Sequence, residues 1–194
     1  MIMNETINTI MSRRSVRAYK SDLIPQDVLS AILEAGQAAP YVMPDSRHFS
    51  VIQDKALITK LRDAAKIEGM KISDMHKAMF SARGFDGTYG APVVVILSGK
   101  EDSVQYEAVC AASAQNMLIA AHSLGISSCW AYFPIFVFHG ADMDKWRKTL
   151  QIPNGFKPCG TILLGYGADA PDIDNEQDKR YKNSISYIEN NGAI

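Results

Sequence analysis

The sequence predicts an α+β or α/β sandwich of helices packed on a sheet. Three observations carry this. Helix-like and strand-like periodicities follow one another in the order α, α, β, α, α, β, α, β, α, β. The run VVVIL at 93–97 is apolar at every position, as suits a strand covered on both faces. The stretch 108–124 runs 17 residues without a charged side chain, so its helix belongs in a core or an interface.

Each element has a local reason. Ile7, Ile10 and Met11 fall at helical spacing, with Asn4 placed to cap them. Pro25 fits a first helical turn, and Val28, Leu29, Ile32, Leu33 and Gly36 trace one face of the helix after it. Pro40 and Pro44 punctuate the loop AAPYVMPDSR, and HFSVIQ at 48–53 reads as a short strand. Leu57, Leu61, Ala64 and Ala65 mark a third helix, and Met75, Met79 and Phe80 a fourth. SARGFDGTYGAP has three glycines and ends in proline, so it is a loop. Gly125 is placed to end the long apolar helix. ISSCWAYF at 126–133 reads as a strand, Met143, Trp146 and Leu150 as a short helix, and TILLGY at 161–166 as the last core strand. The tail from Ala168 is polar until ISYI at 185–188, a candidate edge strand that would lie on a partner subunit.

Composition sets the class. The 194 residues, 47% of them hydrophobic, are expected to form a single domain (1–194) with its own core. Twenty basic residues against 21 acidic ones leave a net charge of −1, which gives no bulk reason to bind nucleic acid or an anionic membrane. Three cysteines, at 110, 129 and 159, form no C-x-x-C and are odd in number, which favours a reducing cytoplasm over a disulfide framework. The N-terminal MIMNETINTIMSRRSVRAY puts its charge after its apolar residues and so reads against a secretory signal.

The strongest chemical feature is RRSVRAYK at 13–20, where Arg13, Arg14, Arg17 and Lys20 stand without an acid. Arginine forks match phosphate oxygens, and Ser15 adds a hydroxyl, so the segment reads as a phosphate site or as a solvated basic turn. A second basic cluster, Lys179, Arg180 and Lys182, lies at the far end of the chain. Gly165-Tyr-Gly167-x-x-Ala170 has the letters of a dinucleotide fingerprint, but no helix pattern follows to hold a pyrophosphate. Histidines 48, 76, 122 and 139 have no metal-ligand spacing, and no metal is expected. Cys129 beside Trp130 reads as a buried thiol before a nucleophile, Asp45-x-x-His48 as a loop contact, and Met70, Met75 and Met79 as core. With no catalytic side-chain constellation, chemistry supplied by a bound cofactor is the natural alternative.

Five ordered segments resemble the nitroreductase family of FMN-dependent oxidoreductases. RRSVRAY followed by PQDVLSAILEAGQAAP is similar to its opening, and RHFSVIQD to its segment around P-W-x-F. YGAPVVVILSG is similar to its Y/F-x-x-A-P-V strand, SAQNMLIAAHSLGISSCW to its Q-N…G-L-x-S/T-C-W helix and strand, and PCGTILLGYG to its last core strand. The resemblance implies a three-layer α-β-α sandwich with a mostly antiparallel central sheet and a C-terminal tail crossing to the partner subunit. It implies a homodimer with FMN at the interface, and NADH or NADPH reducing nitroaromatic, quinone or similar acceptors by ping-pong hydride transfer. Arg13, Arg14, Ser15 and Arg17 would contact the phosphate and the flavin edge. Pro40, Tyr41 and Val42 would reach the flavin of the other subunit. Backbone groups at Tyr132 and Phe133 would meet its hydride-accepting edge, and Arg180 and Lys182 would complete the phosphate site. No catalytic side chain is implied. The chain departs from the family in the flavin-facing loop: APYVMPDSRHF is one residue short of A-P-S-S-x-N-x-Q-P-W, and Arg47 replaces the usual aromatic. That departure keeps a non-catalytic FMN carrier or sensor in view, and a flavin-cleaving or dehalogenating relative is the third alternative.

Overall fold

In the computed structural model, which describes residues 4–41, 43–168 and 186–188, the apolar run at 93–97 lies in strand β2 (Val93–Lys100), buried from Val93 to Gly99. It sits inside a four-stranded sheet of order β1-β2-β4-β3, with β1 at Arg47–Ile52, β3 at Ser127–Ala131 and β4 at Phe156–Gly165. Every pairing between these strands is antiparallel.

Alternate residues of one strand point to opposite faces, so β2 and β4 feed two separate cores. Val93, Val95, Leu97, Ile162 and Leu164 pack under α2 (Gln26–Gln37) and α5 (Tyr106–Ser123). Val94, Ile96 and Leu163 face α3 (Lys55–Gly69), α4 (Asp74–Ser81) and a 3-10 helix at Phe133–His139. The result is the expected α+β arrangement of helix, sheet and helix layers. On the first face α2 and α5 approach closely because Gly36 has no side chain: a Cβ there would lie 2.3 Å from Met117 Cε. Asn116 Nδ2 fixes the pair by donating to Ala35 O at 3.0 Å.

Local chemistry sets the ends. Asn4 caps α1 (Glu5–Ser12) by accepting from the Ile7 N–H at 2.9 Å, and Asp54 caps α3 by accepting from the Leu57 N–H at 2.8 Å. Gly125 follows α5 at φ +73°, the left-handed conformation a helix stop favours. Short α6 (Met143–Thr149) leads into β4.

Several expectations need correction. The strand expected at 126–133 stops at Ala131, and Phe133 opens the 3-10 helix instead. Pro134 lacks a ladder donor and fixes its own φ, which favours a helical turn over a further strand residue. Pro25 is the N-cap of α2, one place before the first turn. Met75 and Met79 are not core: they are 71% and 50% exposed, because Phe80 is the residue α4 buries. Strand β4 begins five residues earlier than TILLGY, since Phe156 to Gly160 continue the ladder against β2. Of ISYI, residues 186–188 form no strand, and Tyr187 and Ile188 are exposed. The rest of the tail lies outside the described residues.

Candidate functional site

The basic segment 13–20 is stitched to the sheet. Ser15 bridges Ser128 of β3, and the Val16 N–H donates to Ser128 O at 3.0 Å. The Lys20 N–H donates to Tyr166 O at 2.8 Å, and the Ala168 N–H returns to Ala18 O at 2.9 Å. Tyr19 is buried, with its hydroxyl 3.4 Å from Leu163 O. A backbone held at both ends this way is no loose solvated turn. It fixes where Arg13, Arg14, Ser15 and Arg17 begin.

Around this segment the electrostatics are one-sided. Arg14 Nη1 donates to Met11 O at 2.9 Å and to Arg13 O at 2.7 Å. Arg13 Nη1 is buried and has no hydrogen-bond partner among the described residues. His122 on α5 comes within 2.8 Å of Ser12 Oγ. Burial, and then the charges of Arg13 and Arg14, hold its imidazole below the ordinary histidine range. Cys129 lies beneath the same segment, where burial pushes its thiol up against the pull of Arg17, Ser15 and Arg13. It is a buried core thiol and not a poised nucleophile.

Arg17 also borders a cleft of about 410 Å³, walled by Ala18, Tyr19, Gly84, Phe85, Asp86 and Tyr89. The loop that forms the far wall is locally braced. Asp86 Oδ1 accepts from the Thr88 N–H at 2.8 Å and the Thr88 hydroxyl at 2.6 Å. Phe85 packs on Phe133 with ring centres 5.2 Å apart, and a Cβ at Gly87 would lie 2.2 Å from the Phe133 ring. Through Phe85, then, Phe133 joins the Arg17 cleft. Phe133 is buried, while neighbouring Tyr132 is 50% exposed and leans on Phe136 at 5.5 Å. The sequence reading missed Phe85 and Tyr89. Their signal was two aromatics four apart in a loop otherwise rich in glycine.

The Pro40–Tyr41 corner is elsewhere. Both residues are exposed, beside a cleft of about 520 Å³ whose lining includes Tyr41, Asp45, Arg47 and His48. Arg47 pairs with Gly99 at one end of β2, whereas Ser128 is level with Leu164 and hence with Val93 at the other end. Two strands also lie between β1 and β3. At about 4.8 Å per strand and about 3.3 Å per residue, the two corners are roughly 14 Å apart across the sheet and roughly 20 Å along it. One protomer does not bring Tyr41 to Arg13. Val42, Arg180 and Lys182 lie outside the described residues.

A sequence model of the Nitroreductase family matches residues 10–166. The chain belongs to this family. Among relatives of known structure, a nitroreductase with bound FMN from Bacteroides fragilis is 31% identical, covering 96% of this chain and 100% of that one at a TM-score of 0.86. Another, from Desulfitobacterium hafniense and also with bound FMN, is 26% identical over 97% of this chain and 100% of that one, with a TM-score of 0.83. An FMN reductase (NADPH) from Bacillus subtilis is 26% identical over 179 residues, 86% of this chain and 68% of that protein. The three-layer fold of this family member is thus the nitroreductase fold. Among its described residues, no helix is long and apolar enough to cross a membrane.

Proposed function

We propose that this chain is an FMN-dependent oxidoreductase that uses NADH or NADPH to reduce electron-poor acceptors such as nitroaromatics and quinones. The observation that carries the reading is the buried Nη1 of Arg13, unpaired among the described residues, on a pinned segment that also holds Arg17 and Ser15. A buried guanidinium N–H without an acceptor is costly, and a phosphate oxygen is the acceptor that fits a fork of this geometry. The FMN-bound relatives from B. fragilis and D. hafniense support the same ligand. Bound FMN supplies reversible hydride chemistry, which reductant and acceptor use in turn, in ping-pong order.

The chain's own residues bind, orient and exclude water. Arg13, Arg14, Ser15 and Arg17 hold the phosphate and the flavin edge, and Arg180 and Lys182 of the tail add charge to the phosphate site. Two anionic charges on a monophosphate are balanced by fixed guanidinium groups that need no reorganisation. Backbone groups at Tyr132 and Phe133 serve the reacting edge. Behind them Phe80, Phe85, Phe133 and Phe136 form an aromatic cluster of edge-on and tilted rings that excludes water from that side. No side chain is assigned as a proton donor.

The active form in this reading is a homodimer in which Pro40, Tyr41 and Val42 reach the flavin of the other subunit. The separation of the two corners within one protomer supports it, since only a second copy can bring both to one ligand. So does α5, which from 108 to 123 offers no acidic or basic side chain other than His122. Three free thiols support a location in the reducing cytoplasm.

The test is the visible spectrum of the purified protein. A yellow protein that bleaches anaerobically on adding NADH or NADPH, and recovers its colour with a nitroaromatic or quinone, bears the reading out. A colourless protein that cannot be loaded with FMN overturns it. Yellow protein inert to both nicotinamides would instead mark a carrier.

A further inference from the structure

β2 and β4 pair regularly on either side of one irregularity: Leu97 faces Gly160, but Ser98 faces Pro158. Cys159 is therefore the extra residue of a β-bulge. A bulge leaves its residue out of the ladder and re-aims the side chain. Here Cys159 Sγ lies 3.6 Å from Leu97 O and packs against the core beneath α5.

A second device brings Cys110 to the same place. A Cβ on Gly99 would lie 2.7 Å from Tyr106 Cβ and 3.0 Å from Tyr106 O, so the first turn of α5 rests directly on β2 at Gly99. From there α5 packs back along β2 and β4. Cys110 is one turn past Tyr106, about 5.4–6 Å along the helix. That matches the roughly 6.6 Å from Gly99 back to Leu97 along the strand. Helix and bulge thus deliver both thiols to the Leu97 level, within one buried cluster. Cys110 is 3% exposed and Cys159 half-buried, so the pair is reached from the Cys159 side.

We propose that Cys110 and Cys159 are an oxidation site, a dithiol that a hydroperoxide closes to an intramolecular disulfide. The Cys110 thiol is held below its ordinary range by the neighbouring Cys159 first, against burial, and then by Arg47 further off. Its thiolate attacks the peroxide, the O–O bond breaks, and the leaving oxygen takes up a proton as water or an alcohol. The sulfur is left as a sulfenic acid. Cys159 sulfur then attacks Cys110 sulfur, the S–O bond breaks, and a second water leaves with the Cys159 proton. Two thiols are oxidised by two electrons and one peroxide is reduced. The new bond staples α5 to β4. The proposal does not rest on the flavin reading.

The purified protein as isolated is treated with a small excess of hydrogen peroxide, denatured, and weighed before and after alkylation. The expected result is a mass about 2 Da lower before alkylation, loss of two of the three alkylatable thiols after it, and a peptide pair containing Cys110 and Cys159 that separates on reduction. The C159S variant is expected to stop at a sulfenic acid on Cys110 that a cyclic dione captures. Three thiols still alkylated, a gain of about 16 or 32 Da without a linked pair, or loss of Cys129 instead would each overturn it. The wild-type measurement stands alone if the variant fails to fold.

Discussion

The guanidinium of Arg47 lies 5.3 Å from the centre of the Tyr41 ring while its nitrogens donate to the carbonyls of Gln37, Ala39 and Pro40. One side chain from the start of β1 thereby caps the C-terminus of α2 and sets the ring of the loop beyond it. Removing it as Arg47→Ala strands carbonyls that a helix end cannot satisfy itself. The expected cost is about 1–3 kcal/mol of folding stability, read as a lower urea midpoint. Arg47→Lys should recover less than half, because an ammonium has no planar fork to serve separate carbonyls.

Arg13 and Arg17 are expected to dominate cofactor retention. Arg13→Ala and Arg17→Ala should each weaken FMN binding by about 1.5–3 kcal/mol, roughly 10- to 150-fold in Kd. Flavin fluorescence on titration into flavin-stripped protein reads this directly. Both variants binding FMN as tightly as the parent would remove the phosphate assignment.

Gly87 carries the packing of the cleft wall. A methyl group there would sit 2.2 Å from the Phe133 ring, which is itself locked among Phe80, Phe85 and Phe136. The ring has little room to retreat, so Gly87→Ala should cost about 1–3 kcal/mol and push the 84–90 loop outward. We expect a lower melting temperature together with faster proteolysis in that loop. Gly84→Ala meets no neighbouring atom, but strains a backbone at φ +78°. It should cost less than Gly87→Ala and leave the aromatic cluster intact.

The fold was legible where one residue type at one spacing admits one structure. VVVIL announced a strand covered on both sides because no polar residue marks a solvent face. Asn4 and Gly125 announced helix ends because caps are chemically specific. What stayed hidden depended on distant chain. PIFVFH at 134–139 has no period of its own, and its helical turn is set by Pro134 and by burial against α3. His122 looked unremarkable because Ser12 and Arg13, which define its surroundings, are more than 100 residues away in sequence. Arg47 showed as a departure from family pattern, but its partners could be found only once α2 and β1 were folded together. Of the candidate site, the basic segment was readable from the local run of residues 13–20. The cleft wall at Phe85 and Tyr89 was not, since a glycine-rich loop names no neighbour.

His122 gives the site a pH signature. Its imidazole is depressed by burial first, then by Arg13 and Arg14, and His48 is depressed by burial at the other corner of the sheet. A histidine whose folded pKa lies below the unfolded value of about 6.5 binds fewer protons folded than unfolded across that interval. Its contribution to stability is therefore fully present above about pH 6.5 and is lost as the pH falls toward the folded pKa. The urea midpoint of the flavin-free protein should drop between about pH 7 and pH 5.5, and His122→Asn should flatten part of that drop, leaving the share of His48. Histidine NMR offers a second reading. A phosphate dianion beside Arg13 would offset the charges that depress the ring, so the His122 pKa should climb when FMN is added, while that of His48 should stay where it is. A His122 resonance whose titration is unmoved by FMN would place the phosphate away from the Arg13–Arg14 pair.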